Sequence, residues 1–280
     1  MISHARVIAA SVAAVVAAVF AMGASGCDRN SGEPPDRAAA AESAAQGGES
    51  AEPEPEPYVP EGPMGSIEGR IALDGEAPER VKLRRGSDPF CDRTEMLTET
   101  VVTSDDGGLA NAFVRVAGDD LAAPVPGEPV VIDQTECMYR PRVQGGVAGQ
   151  TLRVKNSDDT LHNVHARELE LDRGSAQTLY NLAQPAGSGD IEQPIAASEV
   201  LELRCDLHSW MRAFVIVSDH PHFATTGEDG RFRIDDVPTG TYELEVWHEL
   251  YGSKSTEITV GEGETAQVEL AYDAEADRPE

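Results

Sequence analysis

From Gly65 onward the chain is written in short β-branched segments: "SIEGRIAL", "NAFVRVAG", "PVVID", "QTLRVKN", "EVLELRC" and "AFVIVSD". Several alternate apolar and polar positions, and clusters of Gly, Pro, Asp and Asn stand between them. No stretch of helical periodicity interrupts the series. Many short strands so spaced predict an all-β fold, a sandwich or small barrel. A second group begins near Thr225 with "GEDGRFRIDDVPTGTYELEVWHE", then "STEITV" and "AQVELAY". Tyr242, Leu244 and Val246 fall on one face and Glu243 and Glu245 on the other, the pattern of a half-buried strand. Asp229-Gly230 and Pro238-Thr239-Gly240 supply turns. At about 50 residues this module is small for a core of its own, so it is expected to pack on its neighbour.

The N-terminus has a different grammar. "MISHARVIAASVAAVVAAVFAMGASGC" places Arg6 ahead of an apolar run from Val7 to Met22, followed by small residues up to Cys27. That is the anatomy of a signal peptide, expected to span residues 1–26. Ala24-Ser25-Gly26-Cys27 resembles the bacterial lipobox, with Ala24 where leucine is usual. The resemblance implies cleavage before Cys27 and lipid on its thiol, with several acyl chains for stable membrane anchoring. Asp28 resembles an inner-membrane retention signal of some bacteria. Residues 27–63 follow as an Ala-, Glu-, Ser-, Gly- and Pro-rich stalk closing on "AEPEPEPYVPEGP". Such a segment has too little apolar surface to fold, and its Glu-Pro repeat favours extended polyproline II. An exported protein, periplasmic or at the cell surface and tied to a bacterial membrane, is the expectation.

Charge narrows the partners. The chain carries 50 acidic against 22 basic residues, net −28. A surface this negative repels phosphate backbones, so nucleic acid is excluded as a partner class. It suits a partner with a basic face.

Four cysteines in an exported chain would make two disulfides, but Cys27 is spent on lipid. Of the remaining three, Cys91 in "SDPFCDR" and Cys137 in "QTECMYR" have no good metal ligands beside them in sequence and are paired here as a structural disulfide. Cys205 is left over, in "RCDLHSWMR", with His208 and Met211 following at three-residue intervals. A thiolate, an imidazole and a thioether are a soft-metal set. Two imidazoles and one thiolate in a near-trigonal plane, with a weak axial thioether, serve copper in both oxidation states. Zinc rarely uses a thioether, so Met211 argues for copper. The missing imidazole is His162, at the end of "TLRVKNSDDTLH". His165, three positions on, points to the opposite face of a strand and is left out. His220 and His222 in "DHPHF" and His248 in "VWHE" read as surface or turn histidines. Trp210 reads as an apolar rim for a docking partner, or as packing against the neighbouring module.

"NSDDTLHNVHA" followed downstream by "CDLHSWMR" and "AFVIV" resembles the cupredoxin family, the small blue copper proteins. "MYRPRVQGGVAGQTLRVKNSD" is similar to the family's approach to its first histidine. The likeness runs from about residue 138 to 217 and leaves residues 65 to about 130 to add strands or a cap. Carried over, it implies one mononuclear copper ion held by His162, Cys205, His208 and axial Met211. Asn163 would hydrogen-bond across to Asp206 and hold the two loops together. His208, near the surface in that family, would be the exit for electrons. Leu201 and Leu203 stand where the family often has aromatic residues, and Asp206 where Ser or Thr is commoner.

"DGRFRIDDVPTGTYELEVWHE" resembles the carboxypeptidase-regulatory-like module, a transthyretin-like (prealbumin-like) β-sandwich. "SIEGRIALDGEAPE" and "GGLANAFVRV" also look like opening strands of such a module. The expected architecture is therefore a cupredoxin-like Greek-key β-sandwich over residues 64–223 with an N-terminal extension. The small sandwich follows at 224–280, and strands from 64–118 could belong to it. No Gly-x-Ser-x-Gly, His-Glu-x-x-His or phosphate-binding glycine loop is present, so a non-enzymatic protein is expected. The function read from the sequence is one-electron transfer with a redox protein, such as a c-type cytochrome or a copper or quinone enzyme. Two alternatives stand beside it. One is copper storage, delivery or sensing; the other is a cell-surface or carbohydrate-binding protein with a vestigial copper fold.

Overall fold

In the computed structural model, residues 62–279 are described apart from residues 119, 120, 122 and 171–174. The expected signal peptide, the lipid-bearing Cys27 and nearly all of the stalk lie outside the described residues. What is described is all-β, with one 3-10 turn at Cys91–Arg93. No helix among the described residues is long and apolar enough to cross a membrane.

Nine consecutive strands build the first sandwich. One layer has the order β4-β3-β6-β9, made from β3 (Val130–Thr135), β4 (Met138–Arg140), β6 (Thr151–Asn156) and β9 (Ile191–Pro194). The other has the order β5-β11-β10-β7-β8, from β5 (Val143–Val147), β7 (His162–Glu170), β8 (Ser175–Gln184), β10 (Val200–Arg204) and β11 (Arg212–Ser218). Ile132, Leu152, Val154, Val164, Leu201, Leu203 and Val215 fill the space between. Strand β10 is buried on both faces. Leu201 and Leu203 face this core, while Val200 joins a separate cluster on the opposite face. Beside Val200 on that face, buried Glu202 is paired with Arg167 at 2.9 Å and Arg212 at 3.0 Å.

The second sandwich is assembled from both ends of the folded chain. Strand β1 (Met64–Asp74) lies between β13 (Arg231–Pro238), antiparallel, and β16 (Thr265–Asp273), parallel. Strand β2 (Phe113–Ala117) lies between β12 (Phe223–Thr225) and β14 (Gly240–His248), with β15 (Gly252–Val260) beyond. Ile67, Ile71, Val114, Leu244, Val246 and Tyr272 form its core. Thus the chain begins this sandwich, leaves to build the other, and returns to finish it.

The two sandwiches meet along an apolar seam. Phe113 and Trp247 pack with Val143, Val200, Phe214 and Ile216. Gly145 on β5 permits the approach: a Cβ there would sit 2.2 Å from a Phe223 ring carbon. The seam also contains a buried ion pair, Arg142 with Glu249, whose side chains are 8% and 4% exposed.

His220, His222 and His248, expected at the surface or in turns, do stand at tight connections but are buried, at 2%, 5% and 1% exposure. Their polar sequence neighbours disguised a backbone role. His220 Nδ1 accepts the His222 N–H, and His248 Nδ1 accepts the N–H groups of Leu250 and Tyr251. The rings of His220 and His248 thereby satisfy backbone donors in tight connections.

Candidate metal centre

Strands β10 and β11 are antiparallel neighbours, and the pair Arg204–Arg212 closes the loop of residues 205–211. Met211 N–H donates to His208 O at 2.9 Å, and Cys205 N–H to Met211 O at 3.3 Å, which tightens it. Three-residue spacing within this turn sends Cys205, His208 and Met211 inward, at 2%, 3% and 1% exposure, while Leu207 points out. On the other side of β10 lies β7, with Arg204 opposite His165. Continuing that register brings Cys205 alongside the first residues of β7, where His162 is fully buried.

His162, Cys205 and His208 therefore converge, their ligand atoms all within 4.8 Å of one another. The two Nδ1 atoms are 3.0 Å apart, and Cys205 Sγ is 3.6 Å from His208 Nδ1. Two donors on one metal, at about 2.0–2.1 Å for nitrogen and about 2.3 Å for sulfur, lie some 3–4 Å from each other. Met211 is buried in the same core cluster as Cys205. Asn163 Oδ1 accepts the Asp206 N–H at 2.8 Å and faces Cys205 Sγ at 3.3 Å, joining the two loops.

The outer edges of both imidazoles are occupied. His162 Nε2 is 2.9 Å from Asp158 Oδ2, and His208 Nε2 is 3.1 Å from Asp88 Oδ2. An ionised carboxylate only accepts, so both Nε2 atoms carry hydrogen. Neutral rings would then aim two bare Nδ1 lone pairs at each other across 3.0 Å, beside a thiol. That arrangement calls for a positive charge at its centre, either a proton or a metal cation. Burial opposes ionisation of Cys205, but hydrogen bonds from His162 and His208 and from the backbone at Asn163 and Leu207 outweigh it, holding the thiol at about 6. Burial likewise opposes a charge on His162, yet Asp158 and Cys205 raise its pKa above the usual imidazole value. The donor set is thus predisposed to a thiolate and a buried cation, and it fits a soft metal.

Cys91 and Cys137 are joined in a disulfide, with sulfur atoms 2.03 Å apart. Nothing in sequence placed them near metal ligands, yet in the fold they flank the site. Cys91 Sγ is 3.7 Å from His208 Nε2, and Cys137 lies with Asp158 and His162. Their sulfurs are consumed in the cross-link, which leaves Cys205 as the free thiol among the described residues.

At His208 the structure overturns the expected exposed exit. The segment from Glu79 to Glu99 folds over the ring as a cap. Its base is a short ladder, Leu83 N–H to Met96 O and Thr98 N–H to Val81 O, each 2.8 Å, and its tip carries Asp88 and Cys91. Trp210 is partly buried and packs on the core of the first sandwich. Its Nε1 donates to Cys137 O at 2.9 Å, its ring lies 5.1 Å from that of His208, and the Arg85 guanidinium sits 5.9 Å from it. Arg85 also donates to Glu136 O, pinning the cap to the turn before β4. His165 stays outside the cluster, bonded to Asp206 at 2.9 Å and Thr178 at 2.8 Å. Sequence reasoning gave no role at the site to Asp88, Arg85 or Asp158. The sole local hint for Asp158 is its place four residues before His162.

The fold and site define a class: a two-sandwich β-protein in which a buried cysteine and two buried imidazoles lie within 4.8 Å of one another, a donor set that fits a soft metal. Residues 211–272 match the carboxypeptidase regulatory-like domain. Strands β1 and β2, outside that match, complete the same sandwich. No curated protein matches the sequence. Among solved structures the chain is similar to a purple cupredoxin from Nitrosopumilus maritimus, at 21% identity over 32% of this chain and 99% of that one, TM-score 0.27. It is similar to a reduced amicyanin variant, at 18% identity over 38% and 98%, TM-score 0.26. A copper-containing nitrite reductase from Thermus scotoductus aligns at 17% identity over 37% of this chain and 25% of the reductase, TM-score 0.27. The metal assignment rests on the side chains described above.

Proposed function

We propose that this chain is an exported, lipid-anchored copper protein that carries one electron at a time between redox partners. In this reading a cupredoxin-like sandwich is inserted into a carboxypeptidase-regulatory-like one. The observation that carries the reading is the buried convergence of His162 Nδ1, His208 Nδ1 and Cys205 Sγ, two lone pairs and a low-pKa thiol turned toward one another. His162, Cys205 and His208 would hold the ion, with Met211 beside them. Copper bound there supplies a one-electron couple, Cu(II)/Cu(I). The chain's own part is to hold the donors still: Asn163 ties the loops, and the β-scaffold keeps them in place through both states. The acidic surface favours a partner with a basic docking face, such as a c-type cytochrome or a copper or quinone enzyme.

Copper delivery or sensing is a second reading, and the covered His208 favours it, because a partner cannot touch that ring directly. Adding Cu(II) to the purified chain and recording the visible spectrum tests the site. A strong thiolate-to-copper band, abolished in Cys205→Ser, is expected; a colourless product defeats the proposal. Rapid electron exchange with a cytochrome, against copper transfer to an apo acceptor, separates the two readings.

A further inference from the structure

Both proposed ligand imidazoles are backed by a carboxylate, and the two carboxylates are placed by one cross-link. Asp158 is fixed by the N–H groups of Glu136 and Cys137, each 2.8 Å away. Asp88 is fixed by Phe90 N–H at 2.7 Å and Thr160 Oγ1 at 3.0 Å. Cys137, which helps hold Asp158, is bonded to Cys91, three residues from Asp88. The side chains of His162, Asp158 and His208 are 0%, 5% and 4% exposed, and that of Asp88 20%. These are shielded contacts in which a full negative charge on the outer nitrogen is felt at the inner one.

We propose that Asp88 and Asp158 are paired positioning residues. They lock His162 and His208 with Nδ1 turned inward, and they bias a copper ion held there toward Cu(II). This rests on the copper reading above and adds to it the residues that set its redox poise. A carboxylate on the far N–H of a ligating imidazole fixes the ring's tautomer and orientation and raises its basicity. A more basic ligand favours the more highly charged ion. Here the effect acts on both imidazoles. Asp88 comes from the 79–99 cap, outside the strands that carry the ligands, so the chain segment that hides His208 is also the one that tunes it.

The test uses the full chain and the variants Asp88→Asn, Asp88→Ala and Asp158→Asn. Glu257→Gln, a surface charge on β15, serves as a control for net charge. Two properties are measured: the copper reduction potential by optical redox titration, and the imidazole nitrogen shifts of the metal-free protein by NMR. Each Asn variant is expected to lower Cu(II) affinity about tenfold relative to Cu(I), a rise of about 59 mV in potential for that one-electron couple. Asp88→Ala is expected to release the Nε2–H tautomer of His208 in the metal-free protein while leaving that of His162 intact. Potentials indistinguishable from the Glu257→Gln control overturn the bias. An unchanged His208 tautomer in Asp88→Ala overturns the lock. If the unmodified chain takes up no copper, the proposed function falls, while the tautomer measurement still decides what Asp88 does. Should Asp158→Asn fail to fold, the two Asp88 variants decide the matter.

Discussion

Replacing Cys91 and Cys137 together by alanine isolates what closes the site. The disulfide spans a sequence separation of 46 residues. Closing a loop of that length removes enough entropy from the unfolded chain to stabilise the fold by about 4 kcal/mol. Compaction of the real unfolded ensemble makes that an upper figure. Total stabilities of about 5–15 kcal/mol make the loss a large fraction. The cap keeps its internal rungs at Leu83 and Thr98, and its other ties to the body remain: Arg85 on Glu136 O, and Asp88 on His208 and Thr160. It should therefore open more often without being lost. Urea unfolding of the metal-free protein measures the first effect. The second is read from the rate at which a thiol reagent modifies Cys205. That thiol has a pKa of about 6 and is ionised at neutral pH, so access limits the reaction. Faster modification and a loss of several kcal/mol are expected. A loss below about 1 kcal/mol with an unchanged modification rate refutes the view that the cross-link holds the cap shut.

Two further outcomes follow from buried charge. Burial, and secondarily the Arg142 guanidinium, push the His248 pKa down from 6.5 to about 4. The unfolded chain binds that proton more readily than the folded one, so stability is complete above about pH 6.5 and declines as pH falls toward 4, by up to about 3 kcal/mol. His248→Asn, which keeps an acceptor for the Leu250 and Tyr251 amides, should flatten the pH dependence of urea stability between pH 7 and 4.5. An equally steep decline in the variant would count against this origin. Glu249→Gln strands the Arg142 charge in the seam between the sandwiches, where its Nη2 now meets Glu249 Oε2 at 2.8 Å. A loss of about 3–5 kcal/mol is expected on thermal unfolding, and a loss within about 0.5 kcal/mol, the surface norm, would mean that water reaches the pair.

The β character of the fold was legible because period-2 patterning is a local property: "TYELEVWH" declares its buried face without reference to anything else. The inward-facing trio Cys205, His208 and Met211 was legible for the same reason, since one short loop sets their spacing. His162 could be named because its chemistry completed a ligand set, although nothing local says that β7 lies beside β10. Other features had no local signature at all. "SIEGRIAL" is an ordinary strand sequence, and only sheet pairing places it between β13 and β16, at the far end of the chain. "GSDPFCDR" reads as a polar loop, yet tertiary structure lays it over His208 and brings Asp88 and a disulfide sulfur to its outer nitrogen. Burial of His220, His222 and His248 was hidden in the same way, because their partners are backbone groups, which leave no mark in the side-chain pattern. Sequence by itself determined which side chains can bind a soft metal and which faces seek the core, because those follow from residue chemistry and spacing along one strand or loop. Only the tertiary structure decided what covers His162, Cys205 and His208 and what charge stands behind the two imidazoles, because those contacts join segments whose separation in sequence carries no pattern.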